Sequence, residues 1–446
     1  MWETIKERLK KIDGIRMAVR NTRSGLRTSS KFITSFARRK PRYYFFKPRI
    51  AVIKGGSMAS SDQRNREEIA SIQEKLTHGL FVYTDVLSYP LGDAKENVHS
   101  GGLIDTKTNE LIPEAIHFNG AYCQELPPFY EKAFQNPHLP EIQNLVLFGG
   151  ILYNNFGHFL LESIARLWAY DHVKQLNPYI LFYNYWGKPD YLDSKNYIHQ
   201  VLSGFNIPHE KILFIDYPAK FKTVIIPVQK YGYKLCRQPD EYFMQFINSF
   251  KFPAVVPDKF KGAENLYVSR SRLQIGYGKP IGENLFENHL ASSGYTIFYP
   301  EQFTLYQQLA VYSKAKKIIF CDGSSIHTCI LLPKLKAQVA IIARRKDQRW
   351  IPSEIADQFE GYGKKISWID AVQEQYQFGL ESWYACAVID WYEVSSALNK
   401  EGFLDSLFLS FKEVDYQSLV RAELYSFMLS IYKNPKFMDF LLKSKE

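Results

Sequence analysis

Four residues on a helical spacing offer the clearest chemistry in this chain: Asn155, His158, Glu162 and Arg166. Residues four apart share a helix face, so His158, Glu162 and Arg166 form one polar stripe, with Leu160, Ile164 and Leu167 on the opposite side. Asn154 or Asn155 is placed to cap that helix, because the first-turn N–H groups need an oxygen to accept their hydrogen bonds. An imidazole, a carboxylate and a guanidinium in line can keep the carboxylate ionised beside a bound hydroxyl, which is what deprotonating an alcohol requires of a base. The same spacing also describes a first-turn histidine beside an ordinary Glu162–Arg166 surface pair, worth about 0.3–0.5 kcal/mol.

A second constellation lies in Ile318-Ile-Phe-Cys-Asp-Gly-Ser-Ser-Ile-His-Thr328, where a buried strand breaks at Asp322-Gly323 and a helix begins at Ser324 or Ser325. Free N–H groups and the positive end of the helix dipole would meet a phosphate there, with Ser324, Ser325 and His327 adding donors. An ordinary Asp-Gly turn with a serine cap reads the same way. Third, Arg270 and Arg272 leave the end of the strand Leu266-Tyr-Val-Ser269, where forked guanidinium groups could clamp a pyrophosphate. Glu283, at the start of the next helix, is placed to cap it, to orient an arginine or to meet a sugar hydroxyl. The chain contains no Asp-x-Asp pair, so no metal-bridged diphosphate site is expected, and the charge on a diphosphate falls to Arg270, Arg272 and the helix end. It also lacks GxGxxG and GxxxxGK[ST], which disfavours dinucleotide and P-loop chemistry.

Two series of short apolar strands must position these residues. Residues 179–183, 212–215 and 224–228 form one, and residues 266–269, 296–299, 317–321 and 339–343 the other, with helical periodicity over 284–291 and 302–315. Such alternation predicts parallel sheets. A helix and a proline-containing stretch over residues 240–261 read as the linker between two Rossmann-like lobes, whose strand ends would face a common crevice. The expected organisation is a basic leader over 1–49, an acceptor-side lobe over 50–258, a donor lobe over 259–400 and C-terminal helices over 401–446.

With 446 residues, 46% of them hydrophobic, the chain suits two domains of ordinary size. The net charge of +10 sits at one end: residues 1–49 hold 15 Lys and Arg against 3 acidic residues, and the remainder holds 41 against 43. A near-neutral body argues against a nucleic-acid groove, whereas the leader reads as a basic amphipathic helix (Trp2, Ile5, Leu9, Ile12, Met17) suited to an anionic membrane surface or a protein partner. Five cysteines with no metal-ligand spacing are expected to be reduced and mostly buried. No apolar stretch approaches the roughly 18 residues needed to span a bilayer, and Met1 opens no signal-peptide pattern, so a cytoplasmic protein, either free or peripheral on the inner membrane face, is expected.

Taken together and in order, residues 146–404 resemble glycosyltransferase family 61, which includes bacterial capsule and surface-polysaccharide enzymes as well as plant xylosyl- and animal N-acetylglucosaminyltransferases. Asn155-Phe-Gly-His158-Phe-Leu-Leu-Glu162 is similar to the family's Asn-x-x-His-x-x-x-Glu/Asp helix. Arg270 and Glu283 match its arginine and glutamate after the first donor-lobe strand, and Asp322-Gly-Ser-Ser-Ile-His327 matches the Gly-Ser-Ala-Leu-His form of bacterial members. Ser325 departs from the usual Gly or Ala. The resemblance implies a GT-B architecture and inverting transfer of a hexosyl or pentosyl group from a nucleotide diphosphate sugar, a UDP-sugar among the candidates. The acceptor would be a glycan or lipid-linked glycan, with no obligatory metal or other cofactor. It makes Glu162 the general base, with His158 and Asn155 orienting it or the acceptor; the competing assignment makes His158 the base and Glu162 its orienter. The donor site would comprise Arg270, Arg272, Glu283, Gly323, Ser324, Ser325 and His327. A non-catalytic nucleotide-sugar or glycan-binding protein on the same fold is the rival reading, since fold alone does not license chemistry.

Overall fold

The structure is a computed structural model that describes residues 79–433, apart from 93–97, 120, 122–123, 127–134, 136–138, 186, 188, 274–276, 347–350, 377–383 and 409–415, together with residues 67, 70 and 71. The basic leader over 1–49, the connector over 55–61, Cys123 and the last residues from 434 onward lie outside the described residues.

Among the described residues, alternating apolar runs fold into two large sheets, beside two sheets of two strands each. The first contains β1 (Leu80–Tyr89), β2 (Gly102–Asp105), β3 (Glu110–Leu111), β4 (Glu141–Ile142), β5 (Val146–Tyr153), β6 (Tyr179–Tyr185), β7 (Ile212–Phe214) and β8 (Ala219–Pro227). Its order is β3-β2-β1-β8-β5-β6-β7, with β4 also beside β8. The second contains β9 (Asn265–Val268), β10 (Thr296–Phe298), β11 (Lys317–Cys321), β12 (Gln338–Ile342) and β13 (Ile366–Ile369), in the order β10-β9-β11-β12-β13. Every pair in the second sheet is parallel, as the strand–helix alternation predicts. In the first sheet, β5 to β8 pair in parallel, but β1 runs antiparallel to β8 and β2, and β2 to β3. The strands expected from the sequence thus pair in parallel, and the antiparallel ones were not foreseen there; residues 102–111 are too short a stretch to hold a crossover, so β2 and β3 turn straight back.

β5 is buried along its whole length, as a central strand covered on both faces must be. Its register against β6 slips between Phe148 and Gly150, and Gly150 adopts φ +93°, a left-handed conformation that glycine takes without steric cost. Gly149 beside it is held by packing, because a Cβ there would lie 2.6 Å from the Phe182 ring.

The α-helices assigned among the described residues 79–433 are α1 (Phe156–His158), α2 (Tyr170–Val173), α3 (Tyr197–Gly204), α4 (Glu241–Ser249), α5 (Glu283–Ser292), α6 (Leu305–Tyr312), α7 (Ile351–Glu360), α8 (Trp391–Lys400) and α9 (Tyr416–Lys433). α5 matches the periodic stretch 284–291 within a residue at each end. α6 is shorter than the expected 302–315, because Thr304 and Gln307 form a capping box that starts the helix there. α4, an extended stretch and a 3-10 turn (Asp258–Phe260) fill the expected linker before β9. The first core does not stop at that linker: Leu305, Leu309, Ile330 and Leu331 join Leu160, Ile164, Ile198 and Leu202 in one buried cluster. Burying each such side chain is worth about 1.5–3 kcal/mol, so this packing ties α6 and the segment after β11 to the first sheet. Polar contacts add direction, with the Tyr306 hydroxyl donating to Gln200 O at 2.6 Å. Cys236, Cys321, Cys329 and Cys386 are buried free thiols. Among the described residues no helix is long and apolar enough to cross a membrane.

Candidate active site

Asn155 ends the turn after β5 and accepts hydrogen bonds from Gly157 N and His158 N at 3.1 and 3.4 Å, which makes it the N-cap of α1. Its amide therefore fixes the turn that carries His158 and does not bond the Glu162 carboxylate. The helix then widens into a π-turn over Phe159–Ser163, anchored to the end of β5 where the Ser163 hydroxyl accepts from Tyr153 N at 2.9 Å. π-Turns recur at functional sites because the extra residue redirects a side chain. This turn carries Glu162, whose side chain is fully buried.

Both oxygens of Glu162 receive imidazole hydrogen bonds. His158 Nδ1–H donates to Oε1 at 2.5 Å and His117 Nε2–H donates to Oε2 at 2.7 Å. Burial pushes the carboxyl up, but the hydrogen bonds from His117 and His158, with the electrostatic attraction of the two imidazoles, outweigh it and hold Glu162 below the usual carboxylate range. The His158–Glu162 contact expected from the four-residue spacing is present. The extension of that stripe to Arg166 is not: past the π-turn the chain bends through residues 164–166, and Arg166 points away. Its guanidinium donates to Glu114 O at 2.7 Å, to Ile116 O at 2.9 Å and to Pro227 O, and burial lowers its pKa to about 9. The surface Glu162–Arg166 pair is corrected accordingly, since both side chains are buried and the arginine serves backbone carbonyls.

Those carbonyls explain how His117 arrives. Arg166 holds residues 114 and 116, Gln229 bonds Phe118 N and O at 3.0 and 2.9 Å, and Gln124 accepts from His117 N at 2.7 Å. The peptide on either side of His117 is thus clamped, and its ring is delivered to Glu162. Sequence reasoning missed His117 because it lies 45 positions before Glu162 on an irregular segment, where no periodicity marks it. His158 keeps 29% side-chain exposure and lies between Tyr153 and Tyr233, with ring centroids 5.3 and 5.7 Å away.

Opposite α1 stands the second constellation. Asp322 follows β11, and a 3-10 helix over Ser324–Leu331, tighter than the α-helix expected, begins after Gly323. A Cβ on Gly157 would lie 3.2 Å from both His327 Cδ2 and Ser324 Oγ, so the two constellations touch at this glycine. His327 donates through Nδ1–H to Gln358 Oε1 at 2.8 Å; burial lowers its pKa to about 4, so the ring is neutral. Ser324 is exposed and Ser325 half-buried at the start of the turn. Gly323 is extended, with φ 172°, and lies against the arginine: a Cβ would collide with Arg270 Nη1, and the guanidinium would have to move.

Arg270 lies across that turn while donating through Nη2 to Tyr277 O at 2.6 Å and through Nε to Gly278 O at 3.3 Å. Glu283 orients this arginine through its backbone, accepting from Arg270 N at 2.9 Å, and it also accepts from the Tyr267 hydroxyl at 2.8 Å. The Tyr267 and Ser269 hydroxyls and Arg270 N all meet Oε1, and Oε2 is buried without a partner among the described residues. Burial raises the Glu283 pKa to about 7. Arg272 is not brought to the turn: its guanidinium stacks on Tyr299, 3.9 Å from the ring centroid, and Tyr299 in turn donates to Glu287 at 2.9 Å.

The region that holds both constellations also has a family signature. Residues 156–339 match the family model for Glycosyltransferase 61. The glycosyltransferase match spans His158, Glu162, Arg270, Glu283 and the Gly323–His327 turn, and starts one residue after Asn155. It supports a transferase that works on a sugar donor and an acceptor. His117, Arg344 and Arg345 lie outside the matched glycosyltransferase residues. No curated protein matches the chain.

Proposed function

We propose that this protein is an inverting glycosyltransferase of GT-B type in which His158 takes the acceptor proton and Glu162 holds His158. The observation that carries this is the 2.5 Å hydrogen bond from a partly exposed His158 to a fully buried Glu162 whose second oxygen is already taken by His117. An ionised Glu162 that accepts from Nδ1–H leaves the lone pair of His158 on Nε2. A buried carboxylate with both oxygens engaged is poorly placed to meet an acceptor, so the geometry favours the histidine as base. In the transfer step an acceptor hydroxyl attacks the anomeric carbon, His158 Nε2 takes its proton, and the bond from that carbon to the diphosphate oxygen breaks. The leaving nucleoside diphosphate carries the negative charge away past the Gly323–His327 turn, where Arg270 offers compensating charge.

The resemblance to bacterial members supports a glycan or lipid-linked glycan acceptor in surface or capsular polysaccharide synthesis. The basic leader supports work at an anionic cytoplasmic membrane face. Arginine charge in place of an Asp-x-Asp metal site implies turnover that survives chelation by EDTA.

The test is transfer from a panel of nucleotide sugars to glycan acceptors. His158→Ala should lower turnover by about 10²–10⁴-fold, the usual contribution of a positioned base, and added imidazole should restore part of it. Rescue of Glu162→Ala by azide or formate, with none of His158→Ala by imidazole, would transfer the role of base to Glu162. Wild-type protein that binds nucleotide sugars but turns over none across the panel would favour a binding protein.

A further inference from the structure

Of three neighbouring strand ends in the second sheet, the two outer ones carry arginines, and only Arg270 was evident from the sequence as a phosphate ligand. Val268 pairs with Phe320 and Cys321 with Ile342, so Arg270 after β9, Gly323 after β11 and Arg344-Arg345 after β12 stand side by side at the carboxyl edge. Arg270 covers the Gly323 turn from one flank. From the other, Arg345 grips the buried Asp322 carboxylate through two parallel bonds, Nε to Oδ2 and Nη2 to Oδ1, each 2.7 Å. Arg344 is buried and donates from Nε to Asp322 O at 2.9 Å.

The charges of Arg270, Arg344 and Arg345 all bear on the Asp322 carboxylate. Burial lowers the Arg344 pKa to about 9, and repulsion from Arg270 and Arg345 pushes in the same direction as Asp322 resists. Asp322 itself is held below the usual carboxylate range by Arg345 and Arg344 despite its burial. Like-charged guanidinium groups packed at one strand edge are relieved by an anion. A diphosphate spans two such groups where a monophosphate would meet one.

We propose that Arg345, set by Asp322, is the second arm of a diphosphate clamp whose first arm is Arg270, with Arg344 adding charge from below. Arg345 then does what sequence spacing had assigned to Arg272, which stacks on Tyr299 instead. The ligand class is the diphosphate of a nucleotide-activated sugar, so the inference rests on the glycosyltransferase reading. The anion site itself stands on the arginine geometry alone.

The experiment measures binding of nucleoside diphosphates, the matching monophosphates, nucleosides and inorganic pyrophosphate to the full chain by calorimetry. Removing Arg345 alone would strand the Asp322 carboxylate, so the informative variant is Arg345→Met combined with Asp322→Asn, which removes both charges together. Losing a charge-assisted pair of hydrogen bonds should weaken diphosphate and pyrophosphate binding roughly tenfold or more. Nucleoside and monophosphate affinities should change far less. Arg272→Ala should leave the diphosphate affinity within about twofold, since exposed arginine contacts are worth little. Unchanged diphosphate affinity in the double variant, with the fold intact by circular dichroism, overturns the clamp. If wild-type protein binds no nucleotide but binds pyrophosphate through Arg345, the anion site stands and the glycosyltransferase reading falls. If it binds neither, the clamp is overturned as well.

Discussion

Gly157 and His327 face each other so closely that a Cβ on the glycine would lie 3.2 Å from the imidazole Cδ2. The contact joins the α1 turn, which carries His158, to the 3-10 helix that follows the second sheet's central strand. Two segments 170 positions apart meet through the one residue type that adds no side chain between them.

Gly157→Ala should therefore fold, because the shortfall of a few tenths of an ångström can be absorbed by small shifts. It should displace the Ser324–His327 turn, costing about 1–3 kcal/mol as overpacking does. In steady-state kinetics the donor KM should rise more than kcat falls. An unchanged donor KM would mean that the turn does not touch the donor.

In the proposed mechanism His117 is a positioning residue, acting on the acceptor only through Glu162, which it meets at Oε2. His117→Ala removes the donor to Oε2, so Glu162 should protonate more readily and the acid limb of the pH–activity profile should move to higher pH. His117→Gln, which can still offer an N–H, should restore part of the profile. A loss of melting temperature with no movement of that limb would reduce His117 to a packing role.

Arg166 tests how the His117 segment is held. Arg166→Met leaves the carbonyls of Glu114, Ile116 and Pro227 without their donor. Each buried carbonyl left unsatisfied costs about 1–3 kcal/mol, so urea denaturation should show a loss of about 3 kcal/mol or more. A loss under 1 kcal/mol would show that water satisfies these groups instead.

Two buried carboxyls should tilt stability against pH in opposite senses. Glu162 is depressed in the folded state, so its contribution is present above the ordinary glutamate value of about 4.3 and is lost as pH falls through its folded pKa. Glu283 is raised to about 7, so the native state keeps its proton while the unfolded chain ionises. Stability should therefore decline as pH rises from about 4.3 towards 7 and level off above. Melting temperatures of Glu283→Gln should lack that decline, and those of Glu162→Gln should lack the acid loss. Parallel curves for wild type and Glu283→Gln would refute the raised value.

Sequence alone was enough for several features that depend on short separations. The strand runs, the Asn155 cap, the His158–Glu162 pair and the approach of Arg270 to the end of its strand all follow from period, cap chemistry or an adjacent breaker. Arg344 and Arg345 were legible by the same rule that marked Arg270, since they directly follow the apolar run 339–343. What only tertiary structure decided are the contacts between distant segments and the directions that irregular backbone imposes. The π-turn bends Arg166 off the expected stripe and sends it to carbonyls more than 50 positions away. His117 meets Glu162 because three clamps hold a segment without periodicity, and Arg272 turns to Tyr299 because an aromatic face lies beside it. A helical period states which residues share a face while the helix stays regular. It carries no information about what packs against that face, and at this site the packing set which oxygen each imidazole holds.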